Sequence, residues 1–65
     1  MKIDAKKVLL ILAERQMNRT ELASLSGISR QSVSTILTRG TCDLKSSGKI
    51  AKALELPVSE IMKEE

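Results

Sequence analysis

Two helix-start residues, Asn18 and Ser29, lie about three helical turns apart with Gly27 between them. This punctuation limits the fold more than any other feature of the chain. Asn18 is followed three residues later by Glu21, the spacing of a capping box, and Met17 and Leu22 stand where a hydrophobic staple would hold the entering chain. The helix carries Leu22, Ala23 and Leu25 as its apolar residues, and Gly27 reads as the left-handed residue that stops it. Ser29 then caps a second short helix, with Ile28 and Val33 repeating the staple spacing, and Arg39-Gly40 closes it. Val33, Ile36 and Leu37 are its inward residues, Ala23 is small where the two helices cross, and Ile28 fills the angle between them. Two short helices joined by a tight glycine turn form a helix-turn-helix outline, here at about residues 18–39.

The rest of the chain carries the same kind of signal and nothing that reads as a strand. Val8–Leu12 favours β structure by composition but sits between good helix formers, Ala5, Lys6 and Lys7 before it and Ala13, Glu14 and Arg15 after it. Asp4 caps a first helix to about Gln16, with Ile3 and Val8 as its staple, Ala5, Val8 and Leu12 on one stripe, and Ile11 and Arg15 beside it. Asp43 caps a fourth helix whose expected buried stripe is Leu44, Ser47, Gly48, Ile50, Ala51 and Leu54. A glycine inside a helix costs about 1 kcal/mol relative to alanine, so Gly48 is expected to mark the close approach of another helix. Leu56-Pro57 breaks the chain, and a last short helix with Val58, Ile61 and Met62 is expected to dock back. The expectation is an all-α, compact five-helix domain over residues 1–65, without an internal repeat, a linker or an attached sensor segment.

What the sequence lacks narrows its chemistry. It has no Phe, Trp, Tyr or His, which removes base-stacking platforms, haem ligation and histidine acid–base or metal chemistry. A single Cys excludes an intramolecular disulfide and a cysteine zinc site and fits a reducing cytoplasm. No second Cys or basic cluster adjoins Cys42 in sequence, so it reads as an incidental loop residue. The longest apolar run, Val8–Ala13, is far short of the ~20 residues a membrane span needs, and no cleavage site follows it. A cytoplasmic protein is expected, not an enzyme, with no cofactor, no metal, no membrane association and no evident small-molecule ligand. The formal charge is +3, unevenly spread. Residues 55–65 hold four glutamates, Glu55, Glu60, Glu64 and Glu65, against Lys63 alone, a net of −3, which leaves +6 on residues 1–54. Such a body fits an anionic partner or a solvated helical surface equally well. The position of the charges has to decide.

The outer face of the helix at residues 29–39 decides in favour of the anionic partner. Arg30, Ser34 and Thr38 recur every four residues, Gln31 and Thr35 form a parallel row, and no acidic residue occurs from Ser29 to Cys42. A face that served only solubility would carry Glu and Lys. Arg can bind guanine through two hydrogen bonds, Gln can bind adenine likewise, and short hydroxyls let the backbone approach closely, so this face suits a DNA major groove.

These residues resemble the Cro/phage-repressor-type helix-turn-helix proteins, also called the XRE family, from Val8 to Met62. "MNRTELASLSGIS" is similar to that family's second helix and turn, "RQSVSTILTRG" to its recognition helix, and "GKIAKALELPVSEIM" to its fourth and fifth helices. The resemblance implies a lambda-repressor-like five-helix domain that binds a double-stranded DNA operator, commonly as a dimer. Arg30, Gln31, Ser34 and Thr35 match the family's base-reading positions. Asn18 and Arg19 match the start of its second helix, where a phosphate meets the helix N-terminus. Ser32, Thr38, Arg39, Thr41 and Lys45 match the flank and loop that follow the DNA backbone. The chain departs from the family pattern in three places. Arg19 stands where Gln is frequent, and Leu37 opposite Leu12 replaces a common inter-helix ion pair with an apolar contact. The loop before Cys42 is also one residue longer than usual.

The leading expectation is therefore a sequence-specific transcriptional regulator, a prokaryotic or phage/mobile-element repressor. The alternative is a helical protein–protein module, antirepressor or antitoxin-like, on the same fold. A homodimer is expected on DNA, with Ile61 and Met62 at its contact and the acidic tail weakening association in solution. With no sensor segment, regulation would act through concentration, a partner or degradation.

Overall fold

The computed structural model describes residues 1–63; Glu64 and Glu65 of the acidic tail lie outside them. Four α-helices follow one another: α1 (Ala5–Glu14), α2 (Arg19–Ser26), α3 (Arg30–Arg39) and α4 (Leu44–Ala53), and then a single 3-10 turn at Val58–Glu60. Each α-helix starts at the side-chain cap its sequence specifies. The Asp4, Asn18, Ser29 and Asp43 oxygens accept from the backbone N–H of Lys7, Glu21, Ser32 and Ser46, at 2.8–3.1 Å. α2 and α3 end on Gly27 (φ +73°) and Gly40 (φ +71°), in the left-handed region that glycine enters without a Cβ clash. The N–H groups of both Gly27 and Ile28 donate back to the Ala23 carbonyl, which closes the turn between α2 and α3.

α2 packs against both α3 and α4, α1 lies on α3, and the 3-10 turn lies on α4. The core between them is wholly aliphatic: Ile3, Val8, Leu12, Leu22, Ala23, Val33, Ile36, Leu37, Ile50, Ala51, Leu54 and Ile61. Leu12 and Leu37 both lie in it, as their replacement of an ion pair requires.

The fifth helix is only a 3-10 turn, because the backbone groups that would continue it are taken elsewhere. The Ile61 carbonyl accepts from Asp4 N–H at 2.9 Å, and Lys63 N–H donates to the Lys2 carbonyl at 3.2 Å. Ile61 itself is fully buried in the core, so it is not available as a dimer contact. Leu44 is 75 % exposed rather than part of the α4 stripe, because it is the first residue of that helix and no neighbouring element covers it. Gly48 marks no close helix approach, since a Cβ built there meets nothing within 4 Å. α1 ends at Glu14, two residues early, because Gln16 turns left-handed (φ +55°) and Met17 N–H returns to the Leu12 carbonyl.

The N-terminal residues form a strap that the helix signals do not reveal. Ile3 N–H donates to the Gly40 carbonyl at 2.8 Å, and Cys42 N–H donates to the Met1 carbonyl at 3.1 Å. Isolated antiparallel bridges pair Lys2 with Thr41 and Ile3 with Met62. The strap thus lies between the α3–α4 loop and the segment after the 3-10 turn. No helix among the described residues is long and apolar enough to cross a membrane.

Candidate nucleic-acid interface

The start of α3 is held by a short hydroxyl network. Ser29 Oγ accepts from Ser32 N–H at 3.1 Å and donates to Ser32 Oγ at 2.8 Å, so Ser32 helps to fix the first turn as well as facing outward. With Val33, Ile36 and Leu37 committed to the core, Arg30, Gln31, Thr35, Thr38 and Arg39 are left exposed on the opposite side. Ser34 is half-buried and sits at the edge of this face.

Of the residues expected to read bases, Gln31, Ser34 and Thr35 share a shallow hollow of about 300 Å³ with Thr38 and Arg39, two of the expected backbone residues. A second hollow of about 370 Å³, on the α4 side, is lined by Gln31, Ser32 and Thr35 together with Cys42, Asp43 and Ser46. Gln31 and Thr35 line both hollows and so stand between them. Arg30 is exposed in the same first turn but lines neither hollow. Asn18 and Arg19 stand exposed at the start of α2, where Asn18 is already engaged as a cap and the free helix N–H groups favour an anion. Thr41 lines neither hollow but shares a further cleft with Thr38 and Arg39. Lys45 is exposed in the first turn of α4.

Asp43 is more than a cap: it also lines the hollow beside Gln31, Ser32 and Thr35 of the recognition helix. Its hydrogen bonds from Ser46, with a smaller contribution from the nearby Lys45 charge, hold the carboxyl below the ordinary aspartate range. It is therefore a fixed negative charge at neutral pH, and Lys45 offsets part of its repulsion of a phosphate. Burial, with the Asp43 charge next, pushes the Cys42 thiol up, against a smaller opposing pull from the N-terminal ammonium. The thiol is therefore protonated at neutral pH, as suits a non-nucleophilic loop residue. Lys2, Lys6 and Lys63 carry no shared signal in the sequence, because they come from opposite ends of the chain and meet only in the folded state, in the cleft that Thr38, Arg39 and Thr41 line.

Capped helices, a glycine turn and an acid-free outer face are the parts by which a helix enters a DNA groove while its partner helix crosses the backbone. Comparison with curated proteins and with solved structures gave no match. A family model described as Cro/C1-type HTH DNA-binding domain matches residues 7–65, a span that holds α2, the turn, α3, α4 and the segment after it. The chain belongs to the family of Cro/C1-type HTH DNA-binding domains.

Proposed function

We propose that this protein is a sequence-specific transcriptional regulator that reads operator DNA through α3. In this reading it is a repressor of prokaryotic or phage/mobile-element origin that works in the cytoplasm as one domain, without catalytic activity. The observation that carries the reading is the composition of the exposed α3 face: Arg30, Gln31, Thr35, Thr38 and Arg39, with the half-buried Ser34 at its edge and no carboxylate on the helix. Arg30 and Gln31 occupy the first turn, the end of a recognition helix that reaches base edges first. Ser34 and Thr35 follow one turn later and touch thymine methyls or the margins of base edges. Asn18, Arg19, Ser32, Thr38, Arg39, Thr41 and Lys45 hold the sugar–phosphate backbone and set the register.

The proposal includes a homodimer on DNA. One short helix reads only a few base pairs, and half-sites ~34 Å apart on a two-fold operator extend the recognised length. Leu44 replaces Ile61 as the apolar residue for that contact. It follows Asp43 directly, and Asp43 lines the hollow beside Gln31.

The test is selection of bound sites from a randomised duplex library, followed by titration of the best site in rising salt. An inverted-repeat motif and a steep negative dependence of log K on log salt are expected. Binding that ignores salt and selects no motif would instead mark the chain as a protein–protein module.

A further inference from the structure

Past the carboxyl end of α3 the surface changes from polar to strongly basic. Thr38 and Arg39, which line the recognition hollow, also line a neighbouring cleft of about 370 Å³ whose other walls include Lys2, Lys6 and Lys63. Its cations come from four separate stretches of chain: the strap, the first turn of α1, the end of α3 and the segment after the 3-10 turn. Backbone bonds set their spacing, through Ile3 N–H to the Gly40 carbonyl and Lys63 N–H to the Lys2 carbonyl. Asp4 is the carboxylate lining the cleft, and one of its oxygens caps α1 by accepting from Lys7 N–H at 3.0 Å. Like charges gathered at one place raise the local potential and draw in anions.

Other cations lie outside the cleft. Lys7 pairs with Glu60 at 3.0 Å, Arg15 donates to the Leu54 carbonyl, and Lys49 and Lys52 line a hollow between α2 and α4. A ten-residue helix is about 15 Å long, and the major groove is about 12 Å wide. On the DNA reading, the first turn of α3 faces the base edges, so its carboxyl end and the cleft beside it lie toward the sugar–phosphate margin of the groove.

We infer that Lys6, Lys63, Lys2 and Arg39 form a phosphodiester-binding cleft that holds the DNA backbone beyond the helix-turn-helix. The inference rests on the DNA reading above and extends the contact to residues outside α2 and α3. The cleft contributes affinity that does not depend on sequence, and a free phosphate ion shares the chemistry it recognises.

The experiment uses the full chain and a K6Q/K63Q variant, titrated onto a selected site and a mismatched site between 50 and 200 mM salt. Each phosphate contact contributes about 0.9 to the log–log slope, so the variant's slope should be shallower by roughly 1.8. The affinity ratio between the two sites should not change. K6R/K63R should keep the wild-type slope, and so should K49Q/K52Q, which alters cations outside the cleft. Circular dichroism is expected to show every variant folded, since Lys6 and Lys63 are exposed. If the wild type does not bind duplex at all, the DNA reading fails and the inference falls with it. If the wild type binds and K6Q/K63Q keeps the full slope, the cleft assignment is overturned while the DNA reading stands. An NMR titration with inorganic phosphate separates the remaining source: saturable binding at Lys6 and Lys63 with an unchanged DNA slope makes this a free-anion site and also overturns the assignment.

Discussion

Replacing glycine by alanine should raise stability at one position of this chain and lower it at two others. The chain has three glycines. Gly48 lies inside α4, where a Cβ meets nothing within 4 Å, so the substitution brings only the helix preference of alanine, about 0.8–1.0 kcal/mol. A Cβ at Gly27 also finds open space, and at Gly40 it would lie 3.7 Å from the Ile3 carbonyl oxygen, an ordinary contact. Both of those residues are left-handed, however, at φ +73° and +71°. An L-residue there costs roughly 1–2 kcal/mol, and the restricted unfolded chain returns about 0.4–1 kcal/mol of that. Gly27→Ala and Gly40→Ala should therefore destabilise by about 1 kcal/mol each. Thermal melts and urea titrations of the three variants provide the assay. At about 4–8 °C per kcal/mol for a domain of this size, Gly48→Ala should melt several degrees above wild type and the other two several degrees below. A fall in Tm for Gly48→Ala would refute the argument, because it would mean that a neighbouring element already occupies the space the added methyl enters.

Three further outcomes follow from the interface. Gln31→Ala should cost about 1–3 kcal/mol on the best site and almost nothing on a mismatched one, whereas Arg19→Ala should weaken both alike and flatten the salt slope by about one unit. The division between reading and positioning residues is wrong if Gln31→Ala leaves the ratio of the two affinities unchanged while Arg19→Ala shifts it. Leu44→Glu should leave the melting curve in place and convert a 2:1 complex on a two-fold site to stepwise binding, measured by native gel or analytical ultracentrifugation; unchanged cooperativity would remove Leu44 from the contact. The depressed Asp43 carboxyl contributes stability that is present above its unfolded value and is lost as pH falls through its folded value, below the ordinary aspartate range. Asp43→Asn keeps a capping oxygen but does not titrate, so its stability should fall less steeply in that acid window; parallel acid limbs would contradict the assignment.

The features that could be read from sequence are those governed by neighbours within four residues. Asn18 with Glu21, Ser29 with Ser32 and Asp43 with Ser46 each form their cap inside one turn of chain, and Gly27 and Gly40 end helices for a reason local to their own φ. The α3 face could be read for the same reason, because helical period alone separates Val33, Ile36 and Leu37 from Gln31 and Thr35. What escaped depends on partners far away in the chain. Leu44 fits the α4 period but is uncovered, and the spacing of residues 58–62 suits a helix that Asp4 and Lys2 divert through the Ile61 carbonyl and the Lys63 N–H. The basic cleft has no local signature, since Lys63 and Arg39 stand far along the chain from Lys2 and Lys6.

The N-terminal strap also bears on the order in which the molecule assembles. The turn between α2 and α3 and the helix caps join residues a few positions apart, whereas the strap joins residues 1–4 to 40–42 and again to 61–63. Closing loops of that length takes more chain entropy than closing a helical turn, so the strap should dock after the helices have met. In the folded state the strap is held by isolated backbone bonds rather than a helical ladder, so the amide of Cys42, which lies outside the buried core, should exchange with deuterium before the Leu22 and Val33 amides. The α3–α4 loop, which receives the strap at Gly40 and Cys42, would share those openings, so the margin of the recognition helix would be the least protected edge of the fold until DNA closes over it.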